Sequence, residues 1–434
     1  MQQPTVPATS NLEKITQDQL EAMVRLHARF LGGRLGGRRA SLKNIDMTKL
    51  SFKNQDLRQA SFMGCIMVGM DLSGANFQEA SLYGCDLSSS NLYKTKFIRA
   101  DLRGARIENA NLEGADLEKA DLRVGGFSEG GSYDKGQAVN FRGANLSGAK
   151  LTGSMASRAD FSDAIMTRAN MAGADLRGAQ LEGADLSDAE IDGAKFSGAN
   201  LKSTILTGVE LSNMRGKDID ISTAITDENV GQSVSDMDEP LPQMIETHRI
   251  WVESAGKNGK QLDLSKIDLR ILKTLKMEKL TAIRAVEAKF FGMNLYKVEL
   301  QSAVLDESDF RNCDLEEADL RGSSFKDANF AHAKLRGTNC SPLLFGAGGP
   351  THRFNPCNFD GAKIRYADLK GAQMKSASFR GADLSYSDLT DTDLRDADFT
   401  GAVLNGAILE GAQTEGALFD RAEKPVFQMK AEEE

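Results

Sequence analysis

The chain has 434 residues with 41 Gly, eight Pro and one Trp, aromatic residues at 6% and a formal net charge of −9. So few large rings exclude a conventional aromatic core and point to a tandem repeat with small side chains in a narrow interior. The acidic balance speaks against a nucleic-acid binder, and no run of about 18 apolar residues offers a membrane-spanning helix. Five scattered Cys and a start without a secretory pattern predict a cytoplasmic protein with no disulfide framework.

The first predicted element is a helix in ITQDQLEAMVRLHARFLGG. Thr16 is its N-cap, Gln19 completes a capping box, Ile15 is placed to staple onto Leu20, and Gly32 stops it. The following LGGRLGGRR, residues 31 to 39, sets glycines beside Arg34, Arg38 and Arg39. It lacks the GxxxxGK[ST] spacing of a phosphate cradle, so a solvated connector is expected.

From Leu42 to Phe127 every fifth residue is Leu, Ile, Met or Phe, 18 in succession. An amphipathic helix repeats near 3.6 and a strand at 2, so neither fits. Two residues before each large side chain sits a small one, as at Ala75, Ala80, Cys85, Ala110 and Ala115, and between them Asp or Asn is frequent. On extended backbone residues two apart point the same way, so the large and the small side chain both face inward. A turn must follow each set of five, and Asp, Asn and Gly suit it. Phe290, Phe310 and Phe330, and Phe359, Phe379, Phe399 and Phe419, recur every 20 residues. One coil is therefore four five-residue faces, and rings in successive coils should stack.

The frame slips over 128–140 and resumes at Phe141. The first solenoid is assigned to 41–222 after an N-terminal segment, 1–40. Residues 213 to 240 hold seven acidic against two basic residues, and 223–240 reads as an acidic linker. A second capping helix is expected within 241–260. A second solenoid follows over 261–424, with a loop at 341–353 and the frame resuming at Phe354; 425–434 is a tail. Leu20, Met23, Val24, His27, Phe30 and Leu31 correspond to Leu241, Met244, Ile245, His248, Trp251 and Val252, and LKNIDM at 42 to 47 aligns with LSKIDL at 264 to 269. The chain is an internal duplication of helix plus solenoid. Each helix is expected to cover the apolar, unpaired end of its solenoid.

The A(D/N)LXX tandem, written here as ANLEGADLEKADL, resembles the pentapeptide repeat proteins. The resemblance implies an all-β fold, a right-handed quadrilateral β-helix, here duplicated and fitted with N-terminal capping helices. It also implies one functional option: some members resemble duplex DNA in size and charge and bind DNA gyrase or topoisomerase IV, protecting against quinolones.

Candidate chemistry is sparse. His27 and His248 lie on the apolar helix faces without a ligand cluster, so with Phe30 and Trp251 they are assigned to capping. Cys65 and Cys85 occupy inward slots one coil apart, near enough for a bond, yet are expected as reduced replacements for Ala; Cys313 and Cys357 share that slot. Pairs such as Asp391 and Asp393 sit on outward positions without a cleft, so no enzyme, metal or cofactor is expected. Leu343, Leu344 and Phe345, in the 341–353 loop, either fold back onto the coils or present an apolar contact, and are the candidate partner-binding residues. Residues 42 to 127 hold 11 acidic and 11 basic residues, and 141 to 211 hold nine and seven, whereas a DNA mimic needs a continuous acidic stripe. The leading expectation is a non-enzymatic protein–protein interaction scaffold with an unknown protein partner, a dimer being allowed. A type II topoisomerase is the alternative partner, and direct nucleic-acid or membrane binding is not expected.

Overall fold

A computed structural model describes residues 12–125, 136–214, 218–227, 232–345 and 353–420. The chain forms two compact units, Met1–Glu228 and Asn229–Glu434.

The five-residue period has a local cause. The inward residue Leu72 accepts at its carbonyl from the Ala75 N–H at 3.0 Å, which closes a turn, and the same bond joins Ala120 to Leu117. The third residue of such a turn needs positive φ; Gly74 supplies it at 68°, without the Cβ that resists it elsewhere. The Asp or Asn before each inward residue fixes the entry. Asp71 Oδ1 accepts from Ser73 N–H at 3.0 Å, and Asn76 Oδ1 from Gln78 N–H at 3.0 Å.

Coils then pair in parallel with residues 20 further on: Asp71 with Asn91, Asn91 with Asn111, Asp368 with Asp388. Leu72 N–H donates to the Asn91 carbonyl at 2.8 Å, and Asn91 N–H to the Met70 carbonyl at 2.9 Å. Regular strands are short, because the turn leaves about one residue per face for pairing. Two or three residues is the length of every named strand among the described residues. The all-β solenoid is thus a ladder of single bridges with little continuous sheet. Its interior holds the expected ring stacks: Phe290 on Phe310 at 4.6 Å, Phe310 on Phe330 at 4.8 Å, and Phe359 through Phe379 and Phe399 to Phe419 at 4.9 to 5.2 Å.

Both units open in the same way. In the first, β1 (Glu13–Lys14) precedes helix α1 (Gln17–Leu31), followed by β2 (Ser41–Lys43), β3 (Ile45–Asp46) and β4 (Ser61–Met63). β1 pairs with β3 and β2 with β4, all parallel. Thr16 and Gln19 form the capping box of α1. In the second, β5 (Gln232–Ser233) precedes helix α2 (Leu241–Glu253) and pairs in parallel with β6 (Ile267–Asp268). A short strand laid on the first coil before each helix is a feature the sequence reading missed. It also corrects the acidic linker. Ala224 and Ile225 are buried in the first unit, where Ile225 pairs with Ile205, while Val234 and Met237 pack against the core of the second. Among the described residues there, Asp227, Asp236, Asp238 and Glu239 are exposed.

The insertions enter at corners, and the coil continues in register beneath them: Arg106 pairs with Asn140 and Ser324 with Asn358. Gly125 and Gln137 exchange two backbone hydrogen bonds at the base of the first insertion. The remainder of the 128–140 assignment up to 135 lies outside the described residues, and its end needs correction, since Val139 is already buried. The second insertion is a hairpin arm, β7 (Leu343–Phe345) antiparallel to β8 (Arg353–Asn355), with Leu344 opposite Phe354. Phe354 therefore does not resume the inward frame. It is 54% exposed on the arm, and Cys357 and Phe359 restart the buried series. The chain's last residues, including the 425–434 tail, lie outside the described set.

Each helix is fastened by its histidine. His27 Nδ1 accepts from Ala40 N–H at 3.0 Å while Nε2 meets the Arg58 carbonyl at 3.1 Å; His248 repeats this with Leu262 N–H at 3.0 Å and the Thr281 carbonyl at 2.9 Å. Both imidazoles are fully buried, and burial pushes both below the ordinary value of 6.5. This geometry requires the neutral ring with its proton on Nε2.

Two predictions follow from this packing. Leu112 is fully buried and Glu113 exposed, so Leu112→Asp should cost about 3–5 kcal/mol by burying an unpaired charge, whereas Glu113→Lys should fall within about 0.5 kcal/mol of wild type. Denaturant melts of both variants read this directly. For the histidines, the depressed folded pKa means that the unfolded chain binds protons more tightly. Their contribution is present above about pH 6.5 and is lost as pH falls through the unfolded value toward the lower folded one. His27→Ala, which leaves the Ala40 N–H and the Arg58 carbonyl unpaired, should cost about 2–4 kcal/mol at pH 7.5 and flatten the stability loss between about pH 6.5 and 5. An unchanged pH profile would show that the ring titrates as in the unfolded chain.

Candidate interaction surface

The outward side chains follow from the same register. In Asp-Leu-Arg at 56–58, 101–103 and 175–177 the leucine points inward and the flanking charges lie together outside. Arg58 donates from Nε to Asp56 Oδ1 at 2.9 Å and from Nη2 to Oδ2 at 2.8 Å, and Arg103 forks onto Asp101 at 2.8 and 2.9 Å. Arg123, Arg177, Arg321 and Arg395 grip the Asp two residues before them in the same way. Hydrogen bonds from the arginines hold Asp56, Asp175 and Asp393 below the usual carboxylate range. The Asp309–Arg311 pair is nearly buried, with Arg311 over the Phe291 ring at 5.9 Å. Sequence reading counted the charges without pairing them, although the recurrent Asp-Leu-Arg was there to be read. Exposed pairs of this kind add about 0–1 kcal/mol each. Their larger effect is to neutralise the aspartates they grip, although the coils of residues 381 to 420 keep nine acids against Arg395 alone.

One corner of the second unit carries an aromatic column. His332 stacks on Tyr366 at 5.0 Å and Tyr366 on Tyr386 at 5.2 Å, all three at the positive-φ turn position. The Tyr386 ring then lies across Gly406, where a Cβ would come within 2.5 Å of it. The concave features are shallow; one is a groove beside Tyr93 between Lys53 and Lys94.

At the first cap Phe30 stacks on His27 at 5.7 Å and remains 37% exposed; at the second Trp251 stacks on His248, also at 5.7 Å. The LGGRLGGRR segment turns back on α1, with Arg29 Nη2 donating to the Leu35 carbonyl at 2.6 Å, and Leu35 stands 93% exposed. Asp393 is gripped by Arg395 at 2.7 Å. Among the described residues no group of three or more His, Cys, Asp or Glu is placed to hold a metal ion. All five cysteines are free thiols and buried.

The second arm divides the candidate partner-binding residues. Leu343 folds back: a Cβ on Gly322 would come within 3.0 Å of its Cδ1, and Asn355 Nδ2 donates to the Gly322 carbonyl at 2.7 Å. That close approach and the φ of 68° both favour glycine at 322. Leu344 and Phe345 continue β7, their side chains lying outside the described set, and across from Leu344 stands the exposed Phe354. Phe354 was missed as a surface residue because its spacing to Phe359 imitates the inward frame.

The "Pentapeptide repeats" family profile matches in eight copies, within residues 137–173, 169–208, 286–322, 357–396 and 397–423, and the "Pentapeptide repeat region" profile matches 38–117. No curated protein matches the chain. Among solved structures, full-length QnrB1, a plasmid-mediated fluoroquinolone resistance protein, is 20% identical over 50% of this chain and 90% of its own, at a TM-score of 0.27. HetL, a pentapeptide repeat protein involved in heterocyst differentiation regulation from Nostoc sp. strain PCC 7120, is 18% identical over 91% of this chain and 96% of its own, at 0.18. A thylakoid-lumen pentapeptide repeat protein from Arabidopsis thaliana is 28% identical over 33% and 70%, at 0.10. The two repeat profiles together span more than half of the chain and coincide with its five-residue coils. On that footing the chain belongs to the pentapeptide repeat family.

Proposed function

We propose that the protein is a non-enzymatic scaffold for a protein partner, with the β7–β8 arm as the contact. The observation that carries this reading is the arm itself. It interrupts an otherwise in-register coil, is anchored on Gly322 by Leu343 and Asn355, and holds Phe354 in solvent opposite Leu344. Interface energy concentrates in a few apolar anchors, and a pre-ordered hairpin spends little entropy on binding. Leu344, Phe345 and Phe354 are assigned to the contact and Leu343 to the anchor. Buried, unpaired thiols fit a cytoplasmic setting. A type II topoisomerase as partner would require a continuous acidic face resembling DNA, and the balanced charges of the first unit's coils work against one there.

Replacing Leu344, Phe345 and Phe354 together with Ser should lower recovery of the partner at least about tenfold in a cross-linked pull-down, while the melting temperature stays within about 2 °C. Leu343→Ser should instead lower the melting temperature. Unchanged recovery with unchanged stability would move the contact to the solenoid faces. Dose-dependent protection of gyrase supercoiling from a fluoroquinolone would replace this reading with the topoisomerase one.

A further inference from the structure

One inward column of the first unit departs from the rule of small, inert side chains. Along one corner the inward slot is filled by Ile45, Cys65, Cys85, Ala105 and Val139, and then by Ala159 and Ala179. Cys65 and Cys85 are successive rungs: the Asp86 N–H donates to the Cys65 carbonyl at 3.0 Å, and the adjoining Ile66 and Asp86 form a parallel bridge. Neighbouring parallel strands lie about 4.8 Å apart, inside the Cα range that a disulfide spans. Both sulfurs lie beside the same turn, Cys65 Sγ 3.7 Å from the Met63 carbonyl and Cys85 Sγ 3.4 Å from the Phe62 carbonyl.

We propose that Cys65 and Cys85 are a thiol-modification site, which a peroxide converts to a disulfide tying the second coil to the third. Cys65 is the attacking thiol and Cys85 the resolving one. The neighbouring Cys85 thiol lowers Cys65 to about 7, while burial pushes Cys85 up. A thiolate is the nucleophile in the first step of such chemistry. The Cys65 thiolate attacks one peroxide oxygen, the O–O bond breaks, and the leaving hydroxide takes a proton to become water. Cys65 is then a sulfenic acid. The Cys85 sulfur attacks it, the S–S bond forms, and the hydroxyl leaves with the Cys85 proton as a second water. Two thiols and one peroxide give one disulfide and two waters, and an added dithiol reverses the change.

Access lies at the N-terminal end. Cys65 is one rung beneath Ile45, which is only half-buried and is paired over by the two-residue strand β1. The second unit has its own thiols, but burial raises Cys313 and contact with the Cys357 thiol raises Cys340, so neither is poised to attack.

The test is hydrogen peroxide added to the full-length protein at pH 7.5, followed by non-reducing peptide mapping. A Cys65–Cys85 linked peptide, lighter by two hydrogens and split by dithiothreitol, is the expected product. Iodoacetamide should label Cys65 fastest of the five, with a midpoint near pH 7. Cys85→Ala should leave Cys65 as a sulfenic acid that dimedone captures, and Cys65→Ala should abolish both products. Ala fills this slot in neighbouring coils, so both variants keep the fold, and circular dichroism checks it. Linkage of Cys340 to Cys357 in place of Cys65 to Cys85 would overturn the proposal, and so would a natively folded protein in which Cys65 takes neither peroxide nor iodoacetamide.

Discussion

Everything in this protein depends on one repeated backbone bond, the coil-to-coil pairing at a single residue per face. Each face contributes about one bridging position, so no coil is stable by itself and none has register to spare. The inward side chains meet the same demand. Stacked Phe rings and the alternation of a large and a small residue hold only if every coil closes in the same number of residues. Where the chain adds residues, it does so in a corner and returns to register, as between Arg106 and Asn140. A single added residue within a face would put its inward set outside.

The ends of such a ladder are its weak points, and both units meet this with the same device. A two-residue strand completes the backbone pairing of the first coil, a helix covers its side chains, and a buried histidine ties the helix to the coil by accepting one backbone bond and donating another. Its recurrence at His27 and His248 argues that the duplication copied a whole start module and not only the repeats.

The repeat period, the four-sided coil, the ring stacking and the capping box were legible in the sequence because each is a local pattern whose partner lies at a fixed offset. The pairing strands β1 and β5 were not, since two-residue strands leave no periodic trace. Residues 223–240 looked like a linker because their outward acids dominate the composition while Ala224 and Ile225 do the packing. Phe354 was misread by its spacing, which fits the inward frame; the β7–β8 pairing that turns it outward is non-local. The division of labour between Leu343 and its neighbours depends on Gly322, a residue one coil away, and no motif announces it.

The Asp–Arg forks bear on how a partner would arrive. Opposite charges that close on each other within a few ångströms cast little field beyond a Debye length of about 8 Å. Residues 213 to 240 hold seven acids against two bases, and the coils of residues 381 to 420 hold nine against one. Long-range steering is therefore left to those acidic stretches, and on the balanced coils of the first unit encounter should proceed at the unassisted rate of about 10⁵–10⁶ M⁻¹s⁻¹. Tight binding by such a surface has to come from slow departure, which places the whole burden of affinity on how well a few apolar side chains are held in place.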